Sequence, residues 1–92
     1  MLTVHKTAKF RRDYKRAYKR NLDMTLLDNV ILVLASEQPL DQKYIDHALT
    51  GNRKDFRECH IAPDWLLIYK IDKGRLILTL SDTGSHADLL DN

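Results

Sequence analysis

Cysteine, glycine, proline and long apolar runs are all scarce in this chain, and each scarcity removes a class of protein. One cysteine, Cys59, in 92 residues excludes an internal disulfide framework and a cysteine-based zinc site. The longest apolar stretch, Val30 to Ala35, covers six residues, far below the ~20 that a membrane-spanning helix needs. Residues 1–10 carry charge and lack an apolar segment, so they do not read as a secretory signal. The expected location is the cytoplasm. Three glycines and two prolines leave no linker long enough to divide the chain. With 43% hydrophobic and 30% charged residues the composition is that of a soluble globular protein. The length permits one modest core, so residues 1–92 are read as a single domain.

The formal charge is only +2, but it is unevenly spread. Residues 1–20 hold eight basic residues (Lys6, Lys9, Arg11, Arg12, Lys15, Arg16, Lys19, Arg20) against one acid, Asp13, a local +7. Residues 21–92 hold seven basic and twelve acidic residues, a net −5. A local charge of that size attracts polyanions even on a nearly neutral molecule, because the field decays over a Debye length of ~8–10 Å. Three readings stay open on charge alone: a solvated helix face, a surface for nucleic acid or the ribosome, and a surface for an acidic protein or a membrane.

Leu2 to His5 reads as a short strand. Thr7 is placed to cap a helix in which Phe10, Tyr14, Ala17 and Tyr18 recur at helical spacing and basic residues fill the other faces. Asn21 should end it. Asp23 or Thr25 can cap a second helix with Leu26, Leu27, Val30, Ile31, Leu34 and Ala35 on a wide buried stripe, stopped by Ser36 to Pro39. Asp41 to Asn52 has no clean period and reads as an ordered loop closed by Gly51. Phe56 to Ile61, Trp65 to Ile71 and Arg75 to Ser81 are short alternating runs split by turn-forming residues, the pattern of three consecutive antiparallel strands. In the last run Leu76, Leu78 and Leu80 share one face. The fold expected is α+β, with the helices on one side of the sheet and the other side left available.

Chemistry concentrates in the second half. His47 falls in the loop, His60 near a strand end, Asp64 in the turn after it, and His86 after the last strand, where Gly84 suggests a tight turn that places it. Neighbouring strands lie ~4.8 Å apart, so these groups can meet on one patch. Imidazole titrates near neutral pH. Histidines with a carboxylate therefore suit cleavage of an RNA backbone, in which one group takes the 2′-hydroxyl proton, another protonates the leaving 5′-oxygen, and a cation offsets the growing charge on phosphate. The same residue types could bind zinc, but the close pair of histidines typical of a helical zinc site is missing, so no metal site is assigned. Trp65 reads either as core or as a stacking platform. Cys59 alternates with His60 and should be buried on the opposite face.

Taken in order, Asp46-His47-x-Leu49-x-Gly51, then Phe56-Arg57-Glu58-Cys59-His60-Ile61-x-Pro63-Asp64-Trp65-Leu66-Leu67-Ile68-Tyr69, then Thr83-Gly84-Ser85-His86-x-Asp88-Leu89, the sequence resembles the YafQ branch of the RelE-like bacterial toxins. The likeness spans essentially the whole chain. It implies an N-terminal strand and two helices packed on an antiparallel sheet ending in a three-strand meander. It also implies an mRNA interferase that cleaves message in the ribosomal A site by acid/base chemistry, with no metal or other cofactor, and so inhibits translation. The implied partners are a cognate antitoxin, the ribosome and mRNA, with no membrane. By the same resemblance His47 and His60 lie near the attacking 2′-hydroxyl and the scissile phosphate, Asp64 and His86 move protons, and Trp65 shapes the site. Lys9, Arg12, Lys15, Arg16, Lys19 and Arg20 dock on ribosomal RNA phosphates. Two positions depart from the family pattern. Asp82 stands where an arginine is common, which would set a negative charge against phosphate, and Leu90 stands where a phenylalanine is common. Arg57 and Arg75 are the candidates to supply the cation instead. The alternative that Asp82 raises is a weakened or inactive module that binds an antitoxin or RNA.

Overall fold

The computed structural model describes residues 1–90. Five strands, β1 (Thr3–Lys6), β2 (His47–Ala48), β3 (Arg57–Ala62), β4 (Trp65–Asp72) and β5 (Ile77–Gly84), form one sheet in the order β1-β5-β4-β3-β2. Helices α1 (Ala8–Lys19) and α2 (Met24–Ala35) cover one face, and a short helix α3 (His86–Leu90) follows β5.

Local signals set the helix limits. The Thr7 hydroxyl accepts the Phe10 amide hydrogen at 3.0 Å and Asp23 accepts that of Thr25 at 3.1 Å, each satisfying an amide that a helix start leaves orphaned. Asn21 sits at φ 63° just beyond α1, a conformation that ends a helix and that asparagine tolerates. The buried stripe of α2 is Leu27, Val30, Leu34 and Ala35; Leu26 is 44% exposed, so the stripe is narrower than the sequence suggested.

The expected meander is present as β3-β4-β5, all antiparallel. The sheet as a whole is mixed, because β1 joins β5 in parallel, Thr3 to Lys6 beside Ile77 to Leu80. This orientation delivers the chain to α1 just where β1 stops, and α1 then takes over the flank of β5. Thr7 donates its hydroxyl hydrogen to the Ser81 carbonyl at 2.8 Å. The Thr83 amide donates to Asp13 at 3.1 Å, and Arg16 reaches the Thr83 carbonyl. Helix side chains thus satisfy an edge that would otherwise leave backbone groups unpaired.

Two sequence expectations change. Leu76 is 53% exposed at φ 57°; it belongs to the turn, and only Leu78 and Leu80 enter the core. β5 instead runs on through Gly84, with Ser81 an extra residue against β4, since Tyr69 opposes Leu80 and Ile68 opposes Asp82. Within the segment expected as a loop, β2 pairs His47 with Glu58 and Ala48 with Arg57, held between 3₁₀ turns at Gln42–Tyr44 and Gly51–Arg53. Two residues are too few to display a period of two. The core lies between the helices and Cys59, Ile61, Trp65, Leu67, Tyr69, Leu78 and Leu80. Leu66 and Ile68 are buried on the opposite face.

Asp13 is itself buried, and it also accepts from Lys9 at 2.9 Å and Arg16 at 3.2 Å. Removing it strands one strand amide and weakens the hold on two cations. Asp13→Ala should therefore lower unfolding free energy by about 2–4 kcal/mol in a urea titration. A loss below about 0.5 kcal/mol would show that the helix does not depend on this carboxylate.

Candidate active site

Alternation along β3 turns Glu58 and His60 to the face that the helices leave open, and Cys59 and Ile61 to the core. Burial pushes the Cys59 thiol up to about 12, which leaves it no nucleophilic role. β2 sets His47 opposite Glu58, and the His47 and His60 ring centroids lie 6.4 Å apart. β5 ends with Gly84 beside Leu66, the cross-strand neighbour of His60. His86, two residues later, brings its ring to 5.7 Å from His60. The three imidazoles form a row with His60 in the middle.

A carboxylate stands at each end of the row. Asp64, in the β3–β4 turn, accepts from the His86 backbone amide at 3.0 Å and from ring Nδ1 at 2.6 Å. The backbone bond first, then the ring, holds the Asp64 carboxyl below the ordinary aspartate range. With Nδ1–H committed to Asp64, Nε2 is the nitrogen left for chemistry, the arrangement by which a carboxylate fixes a histidine tautomer. At the other end His47 donates from Nδ1 to the Ile45 carbonyl at 2.8 Å and presents Nε2 to Glu58 at 3.4 Å. Ile45 sits at φ 51°, where a β-branched residue costs roughly 1–3 kcal/mol, strain of the kind found at functional sites. A cavity of about 640 Å³, whose lining includes Lys43, Tyr44, Ile45 and Pro63, opens beside His60.

His47, His60, Asp64 and His86 are therefore brought together from four separate segments. Trp65 is not beside them. It is buried on the helix side, where its Nε1 donates to the Thr83 hydroxyl at 3.0 Å, so it anchors the turn that carries Asp64. Arg57 alternates to the helix side too, and binds Asp46 through Nε at 3.2 Å and Nη2 at 3.2 Å. Tyr69 donates to the same carboxylate at 2.6 Å. That clamp fixes the residue before His47, not a substrate. Arg75 lies in the β4–β5 turn, at the opposite end of β5 from Gly84, and cannot supply the site's cation.

The basic helix is also less free than its sequence suggests. Lys9 pairs with Asp13 and Asp82, Arg16 with Asp13 and Asp88, and Arg20 with Asp88 at 2.7 Å. Arg12, Lys15 and Lys19 are exposed, with no ion pair among the described residues. Asp82 does not confront the open site with a bare charge. It is 3% exposed and bound by Lys9 at 3.1 Å, Arg53 at 2.8 Å and the Ser81 hydroxyl. Burial pushes its carboxyl up, but these donors outweigh burial and hold it below the ordinary aspartate range. Leu90, at the end of α3, is exposed.

Two residues on this face escaped the sequence reading. Glu58 carries an alternation signal, two residues before His60, that would have paired it with the imidazoles. Arg53 had none, because only the fold lays it across the sheet. Among the described residues, no group of three or more His, Cys, Asp or Glu is arranged to hold a metal ion.

Comparison with known proteins gives a consistent relationship. Residues 2–91 match the family model described as the bacterial toxin of a type II toxin–antitoxin system, YafQ. The mRNA interferase toxin YafQ of Escherichia coli K12 is 39% identical over 88 residues, covering 94% of this chain and 92% of that protein. A metal-bound toxin from Helicobacter pylori is 49% identical with a TM-score of 0.91, covering 97% of this chain and 99% of that one. The Escherichia coli DinJ–YafQ complex contains a chain 36% identical with a TM-score of 0.89, covering 97% and 98%.

Because the Asp64 carboxyl is lowered in the folded protein, its contribution to stability is present above the unfolded-state aspartate pKa and is lost as pH falls through the lower folded value. A carbon-detected NMR titration should place the Asp64 midpoint below 3.8, and His86→Ala should move it upward. A midpoint at or above 3.8 in the parent would contradict the His86 contacts.

Proposed function

The chain belongs to the YafQ family of type II toxin–antitoxin toxins and is an mRNA interferase, an endoribonuclease; from that premise we propose that it cuts message in the ribosomal A site by metal-free acid/base catalysis at the imidazole row. The 92-residue chain then acts as one toxin domain, working in the cytoplasm where ribosomes are.

The observation that carries this reading is the row itself: three rings spaced 6.4 and 5.7 Å, with His86 oriented by Asp64. At those spacings neighbouring rings are close to contact, so a phosphate lying across the open side of the row can reach the edge nitrogens of two of them. One imidazole takes the 2′-hydroxyl proton as O2′ bonds to phosphorus. The P–O5′ bond breaks, and a second protonated group gives its proton to O5′. The products are a 2′,3′-cyclic phosphate and a free 5′-hydroxyl. His47 and His60 stand near the attacking oxygen and the phosphate, and the Asp64–His86 pair serves proton transfer. Trp65 contributes by holding the Asp64 turn.

Docking on ribosomal RNA falls to Arg12, Lys15 and Lys19, exposed α1 cations without an ion pair among the described residues, while Lys9, Arg16 and Arg20 bind chiefly within the molecule. The partner that silences the toxin is an antitoxin; the Escherichia coli relative has been solved in complex with DinJ. The alternative of an inactive module drew on Asp82, and the burial and pairing of that carboxylate remove its main support.

The test is primer extension on a translated message, with and without ribosomes. His60→Ala and His86→Ala should each slow ribosome-dependent cleavage by about 10²–10⁴-fold while unfolding as the parent does, and a chelator selective for transition metals, with Mg²⁺ kept for the ribosome, should leave the parent's cleavage unchanged. Variants that cut at the parental rate would sink the assignment of the row, and loss of cleavage on chelation would overturn the metal-free step. Replacing Arg12, Lys15 and Lys19 together by alanine should weaken ribosome binding and flatten its salt dependence. An unchanged salt slope would remove α1 from the docking surface.

A further inference from the structure

The open face of the sheet is ruled into rows by its register. His60 stands beside Leu66, which pairs in turn with Gly84. One row along, Glu58 stands beside Ile68, which pairs with Asp82. Phe56 follows at the same two-residue step and lies close to Lys70, whose Nζ is 5.3 Å from the ring centroid. Successive rows are about 6.6–6.8 Å apart, two residues of strand rise.

Arg53 lies across these rows. Its Nη2 donates to Asp82 Oδ1 at 2.8 Å and to the Ser81 hydroxyl at 2.6 Å, while the centre of its guanidinium sits 4.8 Å from the Phe56 ring centroid. Ile68, the cross-strand neighbour of Asp82, is only 5% exposed although it faces away from the main core. The guanidinium is thus fixed at both ends, one row from His60, by contacts that occupy Nη2 and the ring-facing plane. Its Nε and Nη1 hydrogens have no partner among the described residues. They are the part of an arginine fork that fits phosphate oxygens.

The charge balance of the face calls for such a group. Glu58 and Asp64 flank the imidazoles, and phosphodiester cleavage adds further negative charge at phosphorus, which a fixed cation offsets. Asp82 does not cancel Arg53, because the same carboxylate is also bound by Lys9. Lys70 adds a second cation with no ion pair among the described residues.

We propose that Arg53, with Phe56 and Lys70 beside it, forms a phosphate-binding subsite that grips the backbone of single-stranded RNA one row along the sheet from the imidazoles. This rests on the ribonuclease reading above and gives it the cation that Arg57 and Arg75 do not supply. RNA is favoured over an acidic protein segment because the subsite is continuous with the imidazole row on the same face.

Two measurements test it separately from that reading. In ribosome-dependent cleavage, Arg53→Ala should slow the reaction by about 10²–10³-fold, Arg53→Lys should recover only part of the loss because a point charge lacks the fork, and Lys70→Ala should raise the apparent KM. The double variant Arg53→Ala/Asp82→Asn, which leaves no orphaned carboxylate, should be as impaired as Arg53→Ala, so a folding defect is separable. In parallel, NMR titration with a 2′-O-methyl RNA trinucleotide, which cannot be cleaved by 2′-oxygen attack, should shift Arg53, Phe56 and Lys70 signals in the parent and bind more weakly to Arg53→Ala. If the parent cleaves and binds RNA no better than Arg53→Ala, the subsite does not exist. If Arg53→Ala loses affinity only for an antitoxin, the face belongs to the protein partner and the proposal is overturned. If the parent itself does not cleave, the ribonuclease reading fails, and trinucleotide shifts at these three residues alone uphold or overturn the subsite.

Discussion

A single buried carboxylate, Asp13, determines how the helical layer meets the sheet. It accepts the Thr83 amide hydrogen on the unpaired flank of β5 while holding Lys9 and Arg16, so that a helix finishes the edge that β1 leaves open. The stripe Lys9, Asp13, Arg16, Arg20 recurs at helical spacing and meets Asp82, Thr83 and Asp88 in turn. Asp88 in turn caps α3, accepting from the Ser85 amide at 2.9 Å while its own amide donates to the Ser85 hydroxyl at 3.1 Å, a reciprocal pair that fixes the start of the helix. His86 begins that helix. The position of the His86 imidazole is therefore set from α1, on the far side of the strand. Gly84 is required for this approach rather than for a turn: a Cβ there would lie 2.9 Å from the Asp88 Cβ and 3.0 Å from Arg16.

The two faces of the sheet divide labour by alternation alone. Cys59, Ile61, Trp65, Leu67 and Tyr69 build the core, and the residues between them, Glu58, His60 and Lys70, meet solvent on the other side. Polar groups on the core side are not idle. Asp46 gathers Arg57 and Tyr69 immediately before His47, and Trp65 and Thr83 lock the strands on either side of the Asp64 turn. His47 thus rests on a half-buried polar contact one residue before it, and the Trp65–Thr83 bond lies one residue from Asp64, the carboxylate that holds His86. This is how loops with strained or extended backbone hold reacting groups firmly.

Much of this was legible in the sequence, for physical reasons. Thr7 and Asp23 announce helix starts because few residues can satisfy orphaned amides. His60 and Cys59 separate to opposite faces because a strand has period two. His47, Asp64 and His86 were readable as candidates by residue type and by likeness to a family. What the sequence could not carry is pairing across the fold. The basic helix looks like an exposed polycation until Asp82 and Asp88, some seventy residues on, are placed against it. Asp82 looks like a repulsive substitution until Lys9 and Arg53 are seen to bind it. Arg57 and Arg75 could not be told from Arg53 by type; alternation and the sheet's length put the first on the wrong face and the second at the wrong end. Leu76 misled because the alternating pattern continues into a turn whose backbone, at φ 57°, breaks it.

The proposed cleavage requires that RNA lie on the open sheet face, against its row of imidazoles. A structure of this chain on a translating ribosome programmed with message carrying a 2′-O-methyl group in the A site would test that most directly. The scissile phosphate is expected across the open side of the row, within hydrogen-bond reach of about 3 Å of the edge nitrogens of neighbouring rings, with α1 turned toward ribosomal RNA. Message lying against the helical layer, with His47, His60 and His86 left in solvent, would contradict it.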